Sequence, residues 1–366
     1  MERDELAAWL RLIETPQVGR ESARRLLARF GSPQGVFEAR PAGWREVVGA
    51  AQAASLAEPP AMLAAQLDGT LAWLAEGDGR AVLTLGDPDY PSPWLETPDP
   101  PLLVYAQGRL DLLRRDAIAV VGSRNPTAQG RDNACAFARS LSQAGLCVVS
   151  GLALGVDGAA HEGALDGVGS TIAIVGTGLD RVYPRRHLAL AHRIAQQGLL
   201  LSEYALGSLP HGAHFPQRNR LIAGLARGTL VVEAALQSGS LITARLAGEY
   251  GREVFAIPGS IHAPQSRGCH ALIRQGAKLV EQASDILEEL RLAPPAGSGD
   301  VPSAAAAPAD EDPTLAALGF DPMTLDALVE RTGTPPAVLS ARLLELELAG
   351  CVARLPGQLF QRVMRA

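Results

Sequence analysis

Lysine is almost missing from this chain. Of 33 lysines and arginines, only Lys278 is a lysine. Any anion site must therefore be built from guanidinium forks and backbone N–H groups. Long apolar runs are missing too. No stretch reaches the roughly 18 uninterrupted apolar residues that would span a bilayer. The opening MERDELAAWLRLIE is charged and helical in pattern, without a secretory signature. Together these features point to a cytoplasmic protein without a membrane segment. Cys135, Cys147, Cys269 and Cys351 are scattered and form no Cys-x-x-Cys pair. That spacing supports neither a zinc knuckle nor a disulfide frame and favours buried free thiols. No Gly-x-Gly-x-x-Gly follows the first strand of the central region, and there is no P-loop lysine; GTGLDR follows the third strand and lacks the last glycine. A dinucleotide cofactor is disfavoured, and none is expected. No metal spacing or Ser/His/Asp array can be established from sequence order.

What is present is a chain of 366 residues, 47% hydrophobic, with a formal charge of -6. That length suffices for two or three domains, one with a large core. The acidic total argues against a protein that coats nucleic acid everywhere, and leaves room for a local basic patch. Residues 1–75 are Ala/Leu-rich with helical spacing. The segment 80–110 is a short strand followed by a Pro-rich connection, and opens a core that runs to residue 290. Residues 291–313 form a low-complexity linker that should carry no structure, and a small domain covers 314–366.

The core is the most legible part. AIAVV (117–121), LCVVS (146–150), TIAIV (171–175), GLLLS (198–202), TLVVE (229–233), EVFAI (253–257) and AKLV (277–280) are short and apolar. They alternate with helical patterns. This predicts an α/β, Rossmann-like, doubly wound and mostly parallel sheet. Such sheets bind ligands beyond the carboxyl ends of their strands. The segments found there are GSRNPTAQG, GLALGVDGAAH, GTGLDRVYPRRH, EYALGSLPHGAHFPQRNR and AALQSGSLITA. Glycine at this edge lets backbone approach a ligand and form phosphate-binding nests. Gly122, Ser123, Gly151, Gly176, Gly178, Ser238, Gly239 and Ser240 are therefore candidates, with Ser240 expected to cap a helix.

FPQRNRLIAGLARGTLVVEAA (215–235) holds Arg218, Arg220 and Arg227, with no acid before Glu233. With Pro216 at the first helical position, Arg218, Asn219 and Arg220 fall in the first turn, against the helix dipole. An anion bound there would reverse that cost. The alternative is an ion pair with Glu203, Glu233 or Asp180. Phe215 beside the arginines suits base stacking. Arg124 follows the first core strand, and Arg181, Arg185 and Arg186 form a second basic cluster. Asp157 reads as an N-cap with His161 one turn on; acid/base chemistry is the alternative.

Taken together, VVGSRNPTAQG, VVSGLALGVDGAAHEGAL, IAIVGTGLDRVYPRRH, the 214–260 segment and SRGCHALIRQGAKLV closely resemble the DprA/Smf family of bacterial DNA-processing proteins. His270 departs from the family's usual asparagine. The resemblance implies a Rossmann-like core that binds single-stranded DNA, forms a homodimer and helps load a RecA-type recombinase during natural transformation, without catalytic turnover. It places phosphate contacts at Gly122, Ser123, Arg124, Phe215, Arg218, Asn219 and Arg220; Arg185 is added from the second basic cluster. A rival reading is a phosphoribohydrolase-like enzyme using Glu233, although the glycine-rich motif of that family is absent. Residues 15–39 resemble a helix-hairpin-helix or SAM-like unit with its hairpin at Val18-Gly19, or else a plain helical packing module. The last domain resembles a winged helix; its second helix carries Arg342 but also Glu345 and Glu347, which suits protein contact better than a DNA groove.

Overall fold

The computed structural model describes residues 2–77, 79–292, 312–320 and 322–363. Most of the expected linker, 293–311, lies outside the described residues.

The N-terminal unit packs α1 (Arg3–Glu14), α2 (Arg20–Phe30), α3 (Pro33–Glu38), α4 (Pro41–Val47), α5 (Ala50–Ala57) and α6 (Leu63–Ala75). Leu6, Trp9, Leu10, Leu12, Leu26 and Leu56 are its buried anchors. Its core is continuous with one flank of the sheet, where Trp73 of α6 meets Tyr105 edge-on at 5.9 Å.

The sheet is built from β1 (Arg80–Thr84), β2 (Leu103–Gly108), β3 (Ala117–Val121), β4 (Cys147–Ser150), β5 (Thr171–Ile174), β6 (Leu199–Ser202), β7 (Gly228–Val231), β8 (Glu253–Ala256) and β9 (Lys278–Leu279). Among the described residues the order is β1-β2-β6-β5-β4-β3-β7-β8-β9. From β6 to β9 every neighbouring pair is parallel. Strand β2 runs antiparallel to both β1 and β6. The sequence expectation held one short strand before the Pro-rich connection; β2 is an addition, because LLVYAQG also fits an apolar run at the end of a loop. Strands β3 to β7 are buried at every position, as their unbroken apolar sequences require when helices cover both faces.

The covering helices are α7 (Ser92–Leu95), α8 (Ala128–Gln143), α9 (Val156–Ala164), α10 (Leu188–Gln197), α11 (His214–Leu225), α12 (Ser240–Glu249), α13 (Arg267–Arg274) and α14 (Ala283–Glu289). One layer buries Leu221, Ile222 and Leu225 of α11 with Trp94, and the other buries Phe137, Leu141 and Ala160 of α8 and α9. The winding reverses between β3 and β7: β4, β5 and β6 lie to one side, β8 and β9 to the other. The connections leaving β3 and β7 therefore run to opposite faces of the sheet, and a crevice opens between them.

The C-terminal unit consists of α15 (Pro313–Leu318), β10 (Met323–Thr324), α16 (Leu325–Thr332), α17 (Pro336–Leu348), β11 (Val352–Leu355) and β12 (Leu359–Arg362), with strand order β10-β12-β11. Thr324 caps α16 by accepting from Ala327 N at 3.2 Å. The β11–β12 hairpin forms the wing.

Candidate nucleic-acid interface

The crevice at the switch point has a volume of about 620 Å³. The turn after β3 supplies Gly122, Ser123 and Arg124; the loop after β7 supplies Ser238, Gly239 and Ser240; α11 supplies Phe215, Arg218 and Asn219. These segments are distant in sequence and meet because β3 and β7 are adjacent. Several turns are tight enough to demand glycine. A Cβ on Gly122 would run into Val156 and the Glu233 carbonyl, and one on Gly151 would occupy the Arg218 guanidinium. Gly176 seats the Phe215 ring, which a Cβ would meet at 3.1 Å.

Arg124 is exposed and forms no ion pair among the described residues. Its guanidinium stands 5.7 Å from the centroid of Phe215. Phe215 in turn lies against Tyr183, with centroids 5.5 Å apart and planes 34° apart. Tyr183 is 49% exposed. Sequence reading passed over it; its place between Arg181 and the Arg185–Arg186 pair was the available signal. The result is a cation beside two rings, which offers a phosphate contact and a stacking surface together.

Arg218 is only 4% exposed. Its Nη1 donates to the Ile174 carbonyl at 2.5 Å, and its Nε has no hydrogen-bond partner among the described residues. Burial lowers its affinity for its proton, with Asp157 opposing that shift and Arg124 adding to it. A guanidinium nonetheless stays charged. Asp157 is also buried, and burial pushes its carboxyl up while Arg218 pulls it down. This carboxylate is not an N-cap: α9 starts at Val156 behind Gly155, which has φ of 82°. Instead Asp157 Oδ2 accepts from Gly151 N at 3.1 Å and Ala153 N at 3.2 Å, tying down the turn after β4. His161 is no acid or base at neutral pH. Burial drives it down to about 3. Its Nε2 accepts from Leu152 N at 3.3 Å, so Nδ1 holds the proton and donates to Thr171 Oγ1 at 2.7 Å.

Helix α11 begins at His214, two residues before Pro216, so Arg218 and Arg220 lie beyond its first turn. At about 100° per residue, positions two apart point to different sides of a helix. Arg220 accordingly faces away from the crevice. It pairs with the Glu203 carboxylate and donates to the Asp99 carbonyl at 2.6 Å. Asp99 also takes Arg20 at 2.9 Å and Arg24 at 2.5 Å from α2. Arg220 is thus part of a charged junction between the N-terminal unit and the core, and the ion-pair alternative applies to it. Of the α2 arginines, Arg20 and Arg24 point at the core in the same junction. Arg227 also departs from the crevice, pairing with Asp116 at 3.1 Å.

Gly178 and Arg185 do not line the crevice either. A Cβ on Gly178 would meet Asp180 and the Ala205 carbonyl, so this glycine serves a local turn. Arg185 is exposed on a short 3-10 turn, Arg185–His187. Ser240 is the first residue of α12 and makes no cap; its N–H donates to Ser238 Oγ at 3.3 Å. Glu233 accepts from Thr127 N at 2.9 Å and Thr127 Oγ1 at 2.5 Å. It anchors the start of α8 and, among the described residues, pairs with no arginine. Among the described residues no cluster of metal-ligating side chains occurs, and no helix is long and apolar enough to cross a membrane.

A Rossmann-like sheet with an arginine-lined switch-point crevice, flanked by a helix-hairpin-helix unit and a winged helix, defines the class of protein. Family models agree with this architecture: DNA recombination-mediator protein A matches residues 81–291, the DprA-like N-terminal HHH domain 3–62 and the DprA winged helix domain 298–358. The chain belongs to the DNA-processing protein A (DprA/Smf) family. It is 41% identical over 307 residues to Protein Smf of Escherichia coli (strain K12), covering 82% of each chain. It is 50% identical over 203 residues to DNA processing protein DprA of Streptococcus pneumoniae, covering 56% of this chain and 72% of that one. The solved structure of the S. pneumoniae protein aligns with a TM-score of 0.68 at 38% identity, over 79% of this chain and 98% of that one. A structure describing the single-stranded DNA binding mode of DNA processing protein A from Helicobacter pylori aligns with a TM-score of 0.52 at 34% identity, over 57% of this chain and 95% of that one.

Proposed function

We propose that this protein captures single-stranded DNA through its phosphates at the switch-point crevice, and delivers the strand to a RecA-type recombinase in the cytoplasm as a homodimer. The carrying observation is the crevice itself: Arg124 exposed without a carboxylate partner, Arg218 with an orphaned Nε, and Phe215 beside them. Its one lining carboxylate, Asp157, is already engaged by two backbone N–H groups. The H. pylori relative, described as binding single strands, supports the ligand class. The recombination-mediator family supports the delivery step. The protein acts by binding, without turnover: Glu233, the residue an N-glycosidic hydrolysis would need, is held by Thr127 at the foot of α8.

The test is a salt series of fluorescence-anisotropy titrations with single-stranded, duplex and mononucleotide competitors. About four neutralised phosphates give a log–log slope near -3, so affinity falls roughly 50-fold between about 50 and about 200 mM salt. Salt-independent binding, or release of free base from nucleotides that is abolished by Glu233→Gln, would overturn this reading.

A further inference from the structure

A second, smaller pocket lies on the other side of Arg124. Its volume is about 160 Å³, and its lining includes Arg124, Arg131, Arg186, His187 and Glu162 together with Gly158. These side chains come from four separate places: the turn after β3, the first turn of α8, the 3-10 turn before α10, and α9. Arg124, Arg131 and Arg186 are all exposed, and none forms an ion pair among the described residues. Glu162 is the single carboxylate in the wall, so the pocket carries an excess of positive charge. Bringing three guanidiniums to one pocket against a single lining carboxylate costs free energy through mutual repulsion. The start of α9 adds the positive end of a helix dipole on the same side. His187 closes the floor: its Nδ1 donates to the Leu152 carbonyl at 3.0 Å, and its ring fills the space a side chain on Gly158 would need. The volume equals roughly five waters at about 30 Å³ each. That is room for a phosphate group and not for a nucleoside.

Arg124 lines both this pocket and the crevice. We propose that the small pocket is a second oxyanion subsite, taking a phosphodiester further along the same strand, so that the DNA passes over Arg124 with one phosphate on either side. This deepens the single-strand reading given above and rests on it. The shared chemistry is a phosphate oxyanion, and its other possible source is the terminal 5′-phosphate of a strand.

The experiment uses the full chain, wild type and Arg131→Ala/Arg186→Ala, titrated with oligothymidylates of about 4 and about 20 nucleotides, a span that brackets common single-strand footprints. Each is tested with a 5′-hydroxyl and with a 5′-phosphate. Both substitutions are at exposed positions, and an unchanged melting temperature confirms folding. The double variant is expected to lose roughly 10-fold in affinity for the long strand, with the salt slope shallower by about 0.7, the worth of one lost phosphate contact. The short strand, which the crevice alone accommodates, should bind as before, and the 5′ group should make no difference. Equal loss on both lengths, no loss on the long strand, or loss seen only with the 5′-phosphate would overturn the subsite. Absence of single-strand binding by the wild type would instead sink the parent reading.

Discussion

Arg218 and Arg220 sit two residues apart on one helix, both buried, and serve different ends. Arg220 belongs to a closed junction where Glu203 and Asp99 meet the arginines of α2. Arg218 belongs to an open crevice where one nitrogen is left without a partner. At the junction three arginines share two carboxylates, so every cation there already has a carboxylate partner. The crevice has unmatched donors among the described residues, on a molecule of formal charge -6, and the anion-binding proposal rests on that difference. An arginine-rich motif therefore says little until the direction of each side chain is known.

The comparison can be broken most forcefully at the junction. Arg220→Ala leaves the half-buried Glu203 with only the more distant Arg20, at 3.8 Å, and should cost about 3 kcal/mol of stability, read from urea unfolding. The salt slope of DNA binding by the folded fraction should be unchanged. A change in slope with intact stability would reverse the assignment of the two arginines. Arg218→Ala should act on both readouts: it removes a buried donor to Ile174 O, costing about 1–3 kcal/mol, and it weakens single-strand binding. Phe215→Ala should lower affinity by about 1–3 kcal/mol, the usual worth of a stacked base, with the salt slope preserved. Arg124→Ala should change stability by no more than about 0.5 kcal/mol, while cutting affinity roughly 10-fold and the slope by about 0.7.

The smallest effect is in pH, and it has opposite signs at the two places. Burial pushes the Asp99 carboxyl up, but Arg20, Arg220 and Arg24 together hold it below its ordinary value. Its folded value therefore lies under the unfolded one of about 3.9. The stability it contributes is complete above the unfolded value and is lost as pH falls through the folded one. Asp157 is raised by burial, so its ionisation opposes folding, and that penalty is relieved as pH falls through its folded value. Urea midpoints across acid pH should show Asp99→Asn and Asp157→Asn altering the profile in opposite senses. Parallel changes would contradict the contrast.

The sequence made the sheet legible because parallel strands buried on both faces are short apolar runs, and glycine-rich turns mark where they end. The rule that such sheets bind ligands beyond the carboxyl ends of their strands pointed to the turns concerned, and Gly122, Ser123, Arg124, Phe215, Arg218, Asn219 and the Ser238–Ser240 loop meet at the crevice; that they meet at a switch point needed the strand order. The fate of Arg220 was not legible. Its partners lie 17 residues away at Glu203 and 121 away at Asp99, and nothing local announces them. Placing the helix start at Pro216 also hid the fact that an Arg-Asn-Arg triplet splays its two cations. Gly178 fitted the glycine pattern of the sheet edge, but its neighbours in space are Asp180 and Ala205.

The clasp between Glu233 and Thr127 has a consequence for how a ligand is received. One strand end and the foot of the neighbouring crossover are locked together by two hydrogen bonds, and Ser123 N adds a third to the Glu233 carbonyl at 2.7 Å. The spacing between the connections that leave β3 and β7 is thus held at a set width, like a gauge rather than a jaw. Conformational adjustment on association would then fall to the ligand, while the protein keeps its shape.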